Sequence, residues 1–439
     1  MGNGKIALKF FGSGGEVGRN AILLRINAKN ILLDSGVKKI GNREYLPENL
    51  DSIATKIDYI ILSHAHLDHT GFLPFLYNNG CRAPIYLTRE TAELTRLILE
   101  DSYMIRKKTN QKAPKPWKIY PYFRRISYYK LYELGNNLYF KAYPAGHIQG
   151  SACFVIGDGN DFIFYSGDYN TRDLRTQKKA VFPAENISLA ITESTYGGKQ
   201  DRLPSVSQRD KMFIRIIKET LDSGGDVLIP VFAVGRSQEI FSTLYAYYIA
   251  GEIDLNEYNV YFEGTMMEKA TSIYNIYNNF SLSFLYDKEI GAFNRVDYRT
   301  RDKIMRNKQP KIIIATSGMI SGGSSPEYLK YIASDSKNTL LFVGYQAEET
   351  VGRDILLGIN PVRLDDVYVN IKCRVSSVSF SSHTYYPLTI NFLRKIKPER
   401  VIVNHGTPEK AEQLAHGIEQ LLDVDTILPK NQETVFVDI

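Results

Sequence analysis

The segment SHAHLDHTG at residues 63–71 constrains this sequence more than any other. It follows an apolar run at 57–62 that has the composition of a buried strand, and a helical pattern begins after it. Three histidines and one aspartate within six residues offer the nitrogen and oxygen ligands that zinc selects. His64 and His66 project to one side of an extended turn, whereas Asp68 and His69 come from the next bend. The spacing favours two neighbouring metal ions over one; the alternative is a solvated polar turn that happens to be rich in histidine.

Length and composition favour a soluble enzyme with two domains. The 439 residues are 44% hydrophobic and 23% charged, which is usual for globular proteins and leaves ample length for sizeable cores. The net charge of +6 is a mild bias, compatible with a polyanionic substrate. No window approaches the roughly 18 apolar residues of a membrane span and no signal peptide is recognisable, so we expect no membrane segment and a cytoplasmic location. Three scattered cysteines predict neither disulfides nor a thiolate zinc site.

The chain divides into two parts that differ in their predicted secondary structure. Short strands separated by glycine-rich and polar turns dominate its first part, whereas helices and strands alternate from about residue 205. That alternation is typical of a parallel sheet covered by helices. The sequence therefore predicts an α/β protein in which a separate domain, 204–372, is inserted between a first part, 1–203, and a return, 373–439.

Further residues with metal-binding or proton-transfer chemistry stand at the ends of strand-like segments. Among the histidines outside the first cluster, His147, His383 and His405 each follow an apolar segment beside small residues, whereas His416 lies in a helical pattern. Asp34 and Asp168 end strands in the same way. Strand ends converge on one edge of a sheet, where catalytic groups are usually placed.

These segments resemble the successive motifs of the metallo-β-lactamase fold and of its β-CASP nuclease branch. The first group contains Asp34, the 64–69 cluster, His147 and Asp168; the second contains Glu193 in TESTYG, His383 and His405. The segments PVFAVGR at 230–236, SGM at 317–319, GYQAE at 344–348 and GR at 352–353 are also similar to that branch. The resemblance covers nearly the whole chain. It implies an αββα sandwich with an inserted α/β β-CASP domain, most similar to the cleavage and polyadenylation factor nucleases and their archaeal relatives.

The resemblance implies a ribonuclease with two zinc ions per chain. Its ligands would fall into two sets joined by a bridging carboxylate: His64, His66 and His147; Asp68, His69 and His405; and Asp168 between them. Asp34 would fix the histidine turn from behind. Zinc ions about 3.5–4 Å apart would lower the pKa of a bridging water and neutralise charge developing on a phosphodiester, which makes Asp68 and Asp168 part of the catalytic set. His383, oriented by Glu193, would give a proton to the leaving oxygen.

The inserted domain is predicted to contact RNA phosphates. Gly318, which follows Ser317, and the glycines after it free backbone N–H groups just before a predicted helix. Arg236 and Arg353 could clamp phosphates as bidentate donors, although ordinary helix-start glycines and surface arginines are the alternative. A groove between the domains would admit a single strand more easily than a duplex. Residues 106–118, with six lysines and arginines, predict an exposed basic loop that is either merely solvated or a rim attracting phosphates.

His405 favours RNA as substrate, because the DNA-processing branch of the family typically lacks a histidine at this position. The rival functions are a catalytically silent RNA-binding scaffold and a small-molecule metallo-hydrolase. The complete ligand set argues against the first, and His383 with the inserted domain against the second. Endonucleolytic and 5′-to-3′ exonucleolytic cutting both stay open, as do a homodimer and an RNA-processing or decay complex. We expect neither the N-terminal RNA-binding extension of some archaeal relatives nor the C-terminal domain of bacterial ribonuclease J.

Overall fold

The structure, a computed structural model, describes residues 5–41, 43–159, 161–277, 282–286 and 291–438. These residues form two seven-stranded sheets, one six-stranded sheet and two two-stranded pairs. Short 3-10 helices stand at Leu50–Lys56, Pro116–Lys118, Tyr120–Tyr122, Ser283–Tyr286 and Tyr298–Thr300.

The first part of the chain is rich in strands, as its turn pattern predicts. Its helices are α1 (Leu67–Thr70), α2 (Leu73–Asn78) and α3 (Arg89–Lys108). Its strands are β1 (Lys5–Gly12), β2 (Ala21–Ile26), β3 (Lys29–Leu33), β4 (Lys38–Ile40), β5 (Arg43–Tyr45), β6 (Tyr59–Ile61), β7 (Ile85–Thr88), β8 (Phe123–Ile126), β9 (Leu131–Gly135), β10 (Leu138–Pro144), β11 (Ala152–Gly157), β12 (Phe162–Tyr165) and β13 (Ile187–Glu193). Residues 106–108 of the predicted basic loop belong to α3, because the helical pattern continues through them.

Helices and strands alternate in the next part of the chain. Its helices are α4 (Val206–Asp222), α5 (Arg236–Ile249), α6 (Thr265–Tyr277), α7 (Arg301–Arg306), α8 (Ser325–Ile332) and α9 (Val351–Leu356). Its strands are β14 (Val227–Pro230), β15 (Val260–Glu263), β16 (Phe293–Arg295), β17 (Ile312–Ala315), β18 (Thr339–Phe342), β19 (Val362–Leu364), β20 (Val367–Val369) and β21 (Arg374–Ser377). The chain then returns through α10 (Tyr386–Ile396), β22 (Arg400–Asn404), α11 (Pro408–Leu422), β23 (Asp425–Ile427) and β24 (Thr434–Asp438).

Two sheets pack face to face as a sandwich. The first sheet has the order β24-β1-β2-β3-β6-β7-β8, and the second has the order β23-β22-β13-β12-β11-β10-β9. Side chains such as Leu8 and Phe10 from the first sheet and Phe140 and Phe154 from the second share one buried core. Helices α2 and α3 cover the outer face of the first sheet, and α10 and α11 cover that of the second. The predicted αββα sandwich is confirmed.

The third sheet has the order β16-β15-β17-β14-β18-β21, and its paired strands all run parallel. Strands β14, β17 and β18 are buried throughout, because helices cover both faces of a parallel sheet. The inserted α/β domain is thereby confirmed as a fold element. Its boundaries at 204 and 372 stay a prediction; β21, at Arg374–Ser377, pairs with β18 and so extends this sheet.

A buried ion network joins the sandwich to the inserted domain. The Arg209 guanidinium on α4 lies 2.6 Å from Asp210 and 2.9 Å from Glu239 of α5, and each of these side chains is at most 2% exposed. Glu239 also accepts a hydrogen bond from the Thr176 backbone N–H of the sandwich at 3.0 Å. None of the described helices is long and apolar enough to cross a membrane.

Replacing Arg209 by Met should lower the free energy of unfolding by about 3–5 kcal/mol, because it leaves the buried Glu239 carboxylate without its cation, while Asp210 keeps only Arg175 at 2.8 Å. Arg215→Met is the matched control on the same helix. It removes only an exposed pair with Glu219 at 3.7 Å and should cost less than about 1 kcal/mol. Urea denaturation followed by circular dichroism measures both, and equal losses would contradict the structural role of the network.

Candidate metal centre

Parallel pairing brings the predicted site residues to one edge of the sandwich. Leu33 of β3 is aligned with Ile61 of β6, so Asp34 comes to lie beside the histidine turn. Glu193 of β13 is aligned with Asn404 of β22, so His405 follows at the same edge of the second sheet. The site is therefore assembled from both sheets, at the carboxyl ends of strands.

Three histidine nitrogens converge in the first cluster. His66 Nδ1 lies 3.2 Å from His64 Nε2 and 3.1 Å from His147 Nε2. Burial and neighbouring imidazoles lower the pKa of His64 and His147 well below the ordinary value, and burial also lowers the pKa of His66. The rings are therefore neutral and keep a lone pair. Nitrogens bound tetrahedrally to zinc at about 2.0–2.1 Å would be spaced by roughly 3.3 Å, so this cluster fits a zinc ion.

A second cluster combines Asp68, His69, Asp168 and His405, whose potential ligand atoms lie within 4.8 Å of one another. Asp168 Oδ2 is 3.5 Å from His69 Nε2, and Asp168 Oδ1 is 3.5 Å from His405 Nδ1. His69 Nε2 and Asp168 Oδ1 are buried and have no hydrogen-bond partner among the described residues. Two carboxylates and two imidazoles lie together, and two of their buried atoms have no partner. Such a cluster fits a divalent cation.

Asp168 lies between the two clusters. Its Oδ2 atom is also 3.7 Å from His64 Nε2 and 3.8 Å from His147 Nε2. Although burial by itself would raise the pKa of Asp168, His405 and His69 hold it well below its usual range. For His69, burial acts to lower the pKa, but Asp168, Asp34 and Asp68 together raise it well above the ordinary value. The second cluster thus concentrates carboxylate charge around the His69 ring.

Asp34 is fully buried and accepts hydrogen bonds from several groups behind the clusters. Its carboxylate lies 2.7 Å from both the backbone N–H and the hydroxyl of Ser63, and 2.7 Å from His69 Nδ1. Because Nδ1 of His69 is held by this carboxylate, Nε2 is left to face the second cluster. The adjacent Gly36 makes the close approach possible, since a Cβ atom there would lie 1.6 Å from the Asp68 carbonyl oxygen.

His383 and Glu193 form a pair beside the first cluster. His383 Nδ1 lies 2.9 Å from each carboxylate oxygen of Glu193, which also accepts the Tyr169 backbone N–H at 3.0 Å. Burial acts to lower the pKa of His383, but the Glu193 and Asp168 carboxylates together outweigh it and raise the pKa above the ordinary value. The His383 ring stands 4.5 Å from that of His147, and its side chain is 19% exposed. An imidazole with a raised pKa thus borders the metal clusters and reaches solvent.

The predicted phosphate contacts of the inserted domain lie on neighbouring loops. Arg236 begins α5, and its buried Nε has no partner among the described residues. Burial lowers its pKa to about 10. The loops that carry Gly318 and Gly344 pack closely around Phe232. A Cβ atom on Gly318 would lie 3.0 Å from the Phe232 backbone nitrogen, and one on Gly344 would lie 4.0 Å from the Nε atom of Arg236. Arg353 is exposed on α9, whose Gly352 N–H donates to Met319. The Ser317 hydroxyl accepts the Ser321 N–H at 3.0 Å.

Sequence reasoning missed several polar residues of the site. Asn20 Nδ2 lies 3.2 Å from Asp34, and the Tyr165 hydroxyl reaches the same carboxylate from the second sheet. Arg172 donates to the Ser381 carbonyl, its Nε atom has no partner in the described part of the chain, and its guanidinium lies 5.5 Å from the Tyr385 ring. The sequence signal for Arg172 was its position four residues after Asp168. The roles of the predicted ligands and catalytic residues stay predictions.

This arrangement defines a metallo-hydrolase class: two clusters of histidines and aspartates at the edge of an αββα sandwich that carries an inserted parallel domain. Family models match the chain in three segments: a "Metallo-beta-lactamase superfamily domain" at 23–185, a "Beta-Casp domain" at 237–355 and a "Zn-dependent metallo-hydrolase RNA specificity domain" at 368–429. The chain belongs to the β-CASP family of the metallo-β-lactamase superfamily, whose members are metal-dependent hydrolases.

Curated relatives extend over nearly the whole chain. The transcription termination factor FttA of Methanothermobacter thermautotrophicus is 34% identical over 96% of this chain and 70% of its own length. An RNase J-like protein of Methanocaldococcus jannaschii is 33% identical over 97% of this chain and 98% of its own length. A crystal structure of a protein of unknown function from Enterococcus faecalis covers 99% of this chain and 100% of its own, with a TM-score of 0.59. At 14% identity it supports the fold alone.

Asp34→Asn should lower metal affinity about 10- to 100-fold, because the amide replaces an acceptor that orients His69 and the histidine turn. Asp58→Asn is the matched control: Asp58 accepts the Asn30 backbone N–H at 2.8 Å on the same sheet but contacts no predicted ligand. Elemental analysis after dialysis against a graded chelator compares the two. Equal metal retention by Asp34→Asn and the parent would remove Asp34 from the support of the centre.

Proposed function

We propose that the chain is a ribonuclease that uses two zinc ions to hydrolyse phosphodiester bonds in single-stranded RNA. The observation that carries the proposal is the contact between His383 and Glu193 immediately beside the paired clusters. A metal-dependent hydrolase of a small molecule needs no such pair at the mouth of its site. Membership of a family with an RNA specificity domain and the name of the RNase J-like relative point to the same substrate.

Seven residues would hold the metal. His64, His66 and His147 would form one set, Asp68, His69 and His405 the other, and Asp168 would contribute to both. When bound, two zinc ions would make a water molecule acidic enough to attack at neutral pH and would offset charge on the phosphate. The protein orients the ligands: the Ser382 carbonyl, 2.9 Å from Nδ1 of His147, leaves Nε2 of that ring for the metal. Since all seven ligand-type residues converge, a catalytically silent scaffold is disfavoured.

His383 would protonate the leaving oxygen. Its Nδ1 proton is committed to Glu193, so the proton on Nε2 is the one available to the substrate. The raised pKa favours the charged imidazole, which is the form a general acid requires. Glu193 in turn is held in place by the Tyr169 N–H and acts as a positioning residue.

Arginines near His383 would guide the RNA backbone. Arg172 donates to the carbonyl of Ser381, two residues before His383, at 3.0 Å, and the charge of Arg236 acts to lower the pKa of His383. Each of these arginines is partly exposed, so its guanidinium could donate to a phosphate oxygen. Gly318, Ser317 and Arg353 would continue this path across the inserted domain. Unpaired bases fit such a path better than a stiff duplex.

The function is tested with RNA labelled at either end. The protein should cut RNA faster than DNA of the same sequence, lose the activity when a chelator is added, and leave a thioester intact. Comparing 5′-monophosphate and 5′-triphosphate ends separates endonucleolytic from 5′-to-3′ exonucleolytic cutting. Thioester hydrolysis without RNA cleavage would reassign the chain to small-molecule hydrolysis, and RNA binding without cleavage would make it a scaffold.

His383→Ala should lower the single-turnover rate of RNA cleavage about 10²–10⁴-fold while the metal content stays at two zinc ions, because it removes a general acid and not a ligand. Glu193→Gln should have a weaker effect in the same direction, since only the orientation of the ring is lost. His405→Ala should instead lower the metal content. His416→Ala, at an exposed histidine of α11, is the control and should match the parent in both measurements. Loss of zinc from His383→Ala, or cleavage at the parent rate, would exclude the proton-donor role.

A further inference from the structure

One surface of the sandwich combines positive charge with exposed aromatic rings. Residues 102–132 contain nine lysines and arginines, eight aromatic residues and no aspartate or glutamate. Arg106 is the buried exception among the cations, because it donates to the Glu44 carboxylate at 2.9 Å. The other cations of this segment are exposed. A segment of this composition forms a continuous positive potential and attracts a polyanion.

The segment folds back along one stripe of α3. The stripe is lined by side chains at helical spacing: Glu93, Arg96, Glu100, Tyr103 and Lys107. The distance from Glu93 to Lys107 along the axis is about 21 Å, at 1.5 Å per residue. We call this stripe, together with the side chains of 115–132 that contact it, the α3 surface. The N-terminus of the helix adjoins the loop that carries His147, since the hydroxyl of its N-cap, Thr88, donates to the carbonyl of Gly150.

At the end nearer the metal centre, the α3 surface contains a cavity of about 510 Å³. Its walls are aromatic rings, including Tyr86 and Tyr132, together with arginines that include Arg124. The Arg96 guanidinium lies 5.1 Å from the Tyr120 ring, and its buried Nε has no partner among the described residues. A cavity of this volume, walled by flat rings and donors, suits a planar base attached to an anionic backbone.

At the far end, Trp117 is the only tryptophan of the chain and is 47% exposed. Its ring packs edge-on against Tyr103 at 5.2 Å, and the Lys115 ammonium lies 5.8 Å from it. Lys107 stands 5.7 Å from the Tyr103 ring. Aromatic faces interleaved with lysines are the arrangement on which proteins stack the bases of single-stranded nucleic acid while neutralising its phosphates.

The two acidic side chains of the stripe are already engaged. Glu93 lies 3.3 Å from Arg96 and 2.9 Å from Arg125, so two cations share one carboxylate. Glu100 accepts a hydrogen bond from the Tyr120 hydroxyl at 2.9 Å. The α3 surface therefore keeps a positive excess, and its exposed aromatic rings favour a polyanion that also carries planar bases.

We propose that the α3 surface is an accessory binding site for single-stranded RNA, which holds nucleotides flanking the bond cut at the metal centre. The proposal rests on the proposed RNA substrate. Bases stack on Trp117 and Tyr103 and enter the cavity near Arg96, while the lysines and arginines of 107–125 neutralise phosphates. The surface lengthens the RNA contact by a few nucleotides beyond the metal centre, so long RNA binds more tightly than short RNA.

Trp117 reports on this site directly, because tryptophan emission of this chain comes from one residue. Holoenzyme mixed with single-stranded oligouridylate in a stopped-flow instrument should show quenching of that emission before turnover. Trp117→Ala should weaken the affinity for the same oligouridylate about fivefold to a hundredfold, measured by anisotropy of a labelled end. Lys115→Ala combined with Arg124→Ala should reduce the slope of log affinity against log salt by about one to two.

Tyr298→Ala combined with Lys303→Ala is the matched control. Tyr298 is 71% exposed with the Arg299 guanidinium 5.9 Å from its ring, but it lies in the inserted domain. This control should bind oligouridylate as the parent does. Cleavage of RNA with no change in Trp117 emission would overturn the accessory site and leave the proposed function standing. Absence of both cleavage and binding would overturn the proposed function itself. Quenching by an acidic peptide and not by RNA would assign the surface to a protein partner and overturn the proposal.

Discussion

The buried carboxylate of Asp34 is the interaction on which the metal centre depends. It accepts hydrogen bonds from Ser63 and Asn20 of the first sheet and from Tyr165 of the second, and it holds Nδ1 of His69. Removing such an acceptor would leave several buried donors unsatisfied at once, which costs far more than a single exposed hydrogen bond. The sandwich core brings the sheets together, and the hydrogen bonds to this carboxylate fix the orientation of the histidine turn.

The pKa of each histidine in the centre depends on which charged groups lie beside it. Burial and mutual repulsion keep His64 and His147 neutral, whereas three carboxylates raise the pKa of His69. His383 owes its raised pKa to Glu193, which lies outside both clusters, and to Asp168. Neutral imidazoles suit metal ligation and a charged imidazole suits proton donation, so one small region supports both kinds of chemistry. The buried Arg209 network holds the inserted domain against this region and thereby fixes the position of Arg236 relative to His383.

Much of the fold and of the site could be predicted from the sequence, because the signals are local. The apolar run before the histidine turn, the alternation of helices and strands after residue 205, and the motif residues at strand ends each lie within one short segment. The extent of α3 was underestimated, since Arg106 looked like part of a polar loop. It lies in the helix and is buried there, where its guanidinium pairs with Glu44, a partner 62 residues away that composition cannot reveal.

The sequence by itself determined which residue types were available for the centre and in which local context each stands. Only the tertiary structure decided which nitrogen each histidine presents and which way its pKa moves. Nδ1 of His147 is occupied by a carbonyl 235 residues away, and Nδ1 of His383 by a carboxylate 190 residues away. Likewise, only the tertiary structure shows that the site includes Arg172, Asn20 and Tyr165. Hydrogen bonds and burial depend on neighbours in space, and chain folding brings those neighbours together from segments that carry no shared pattern.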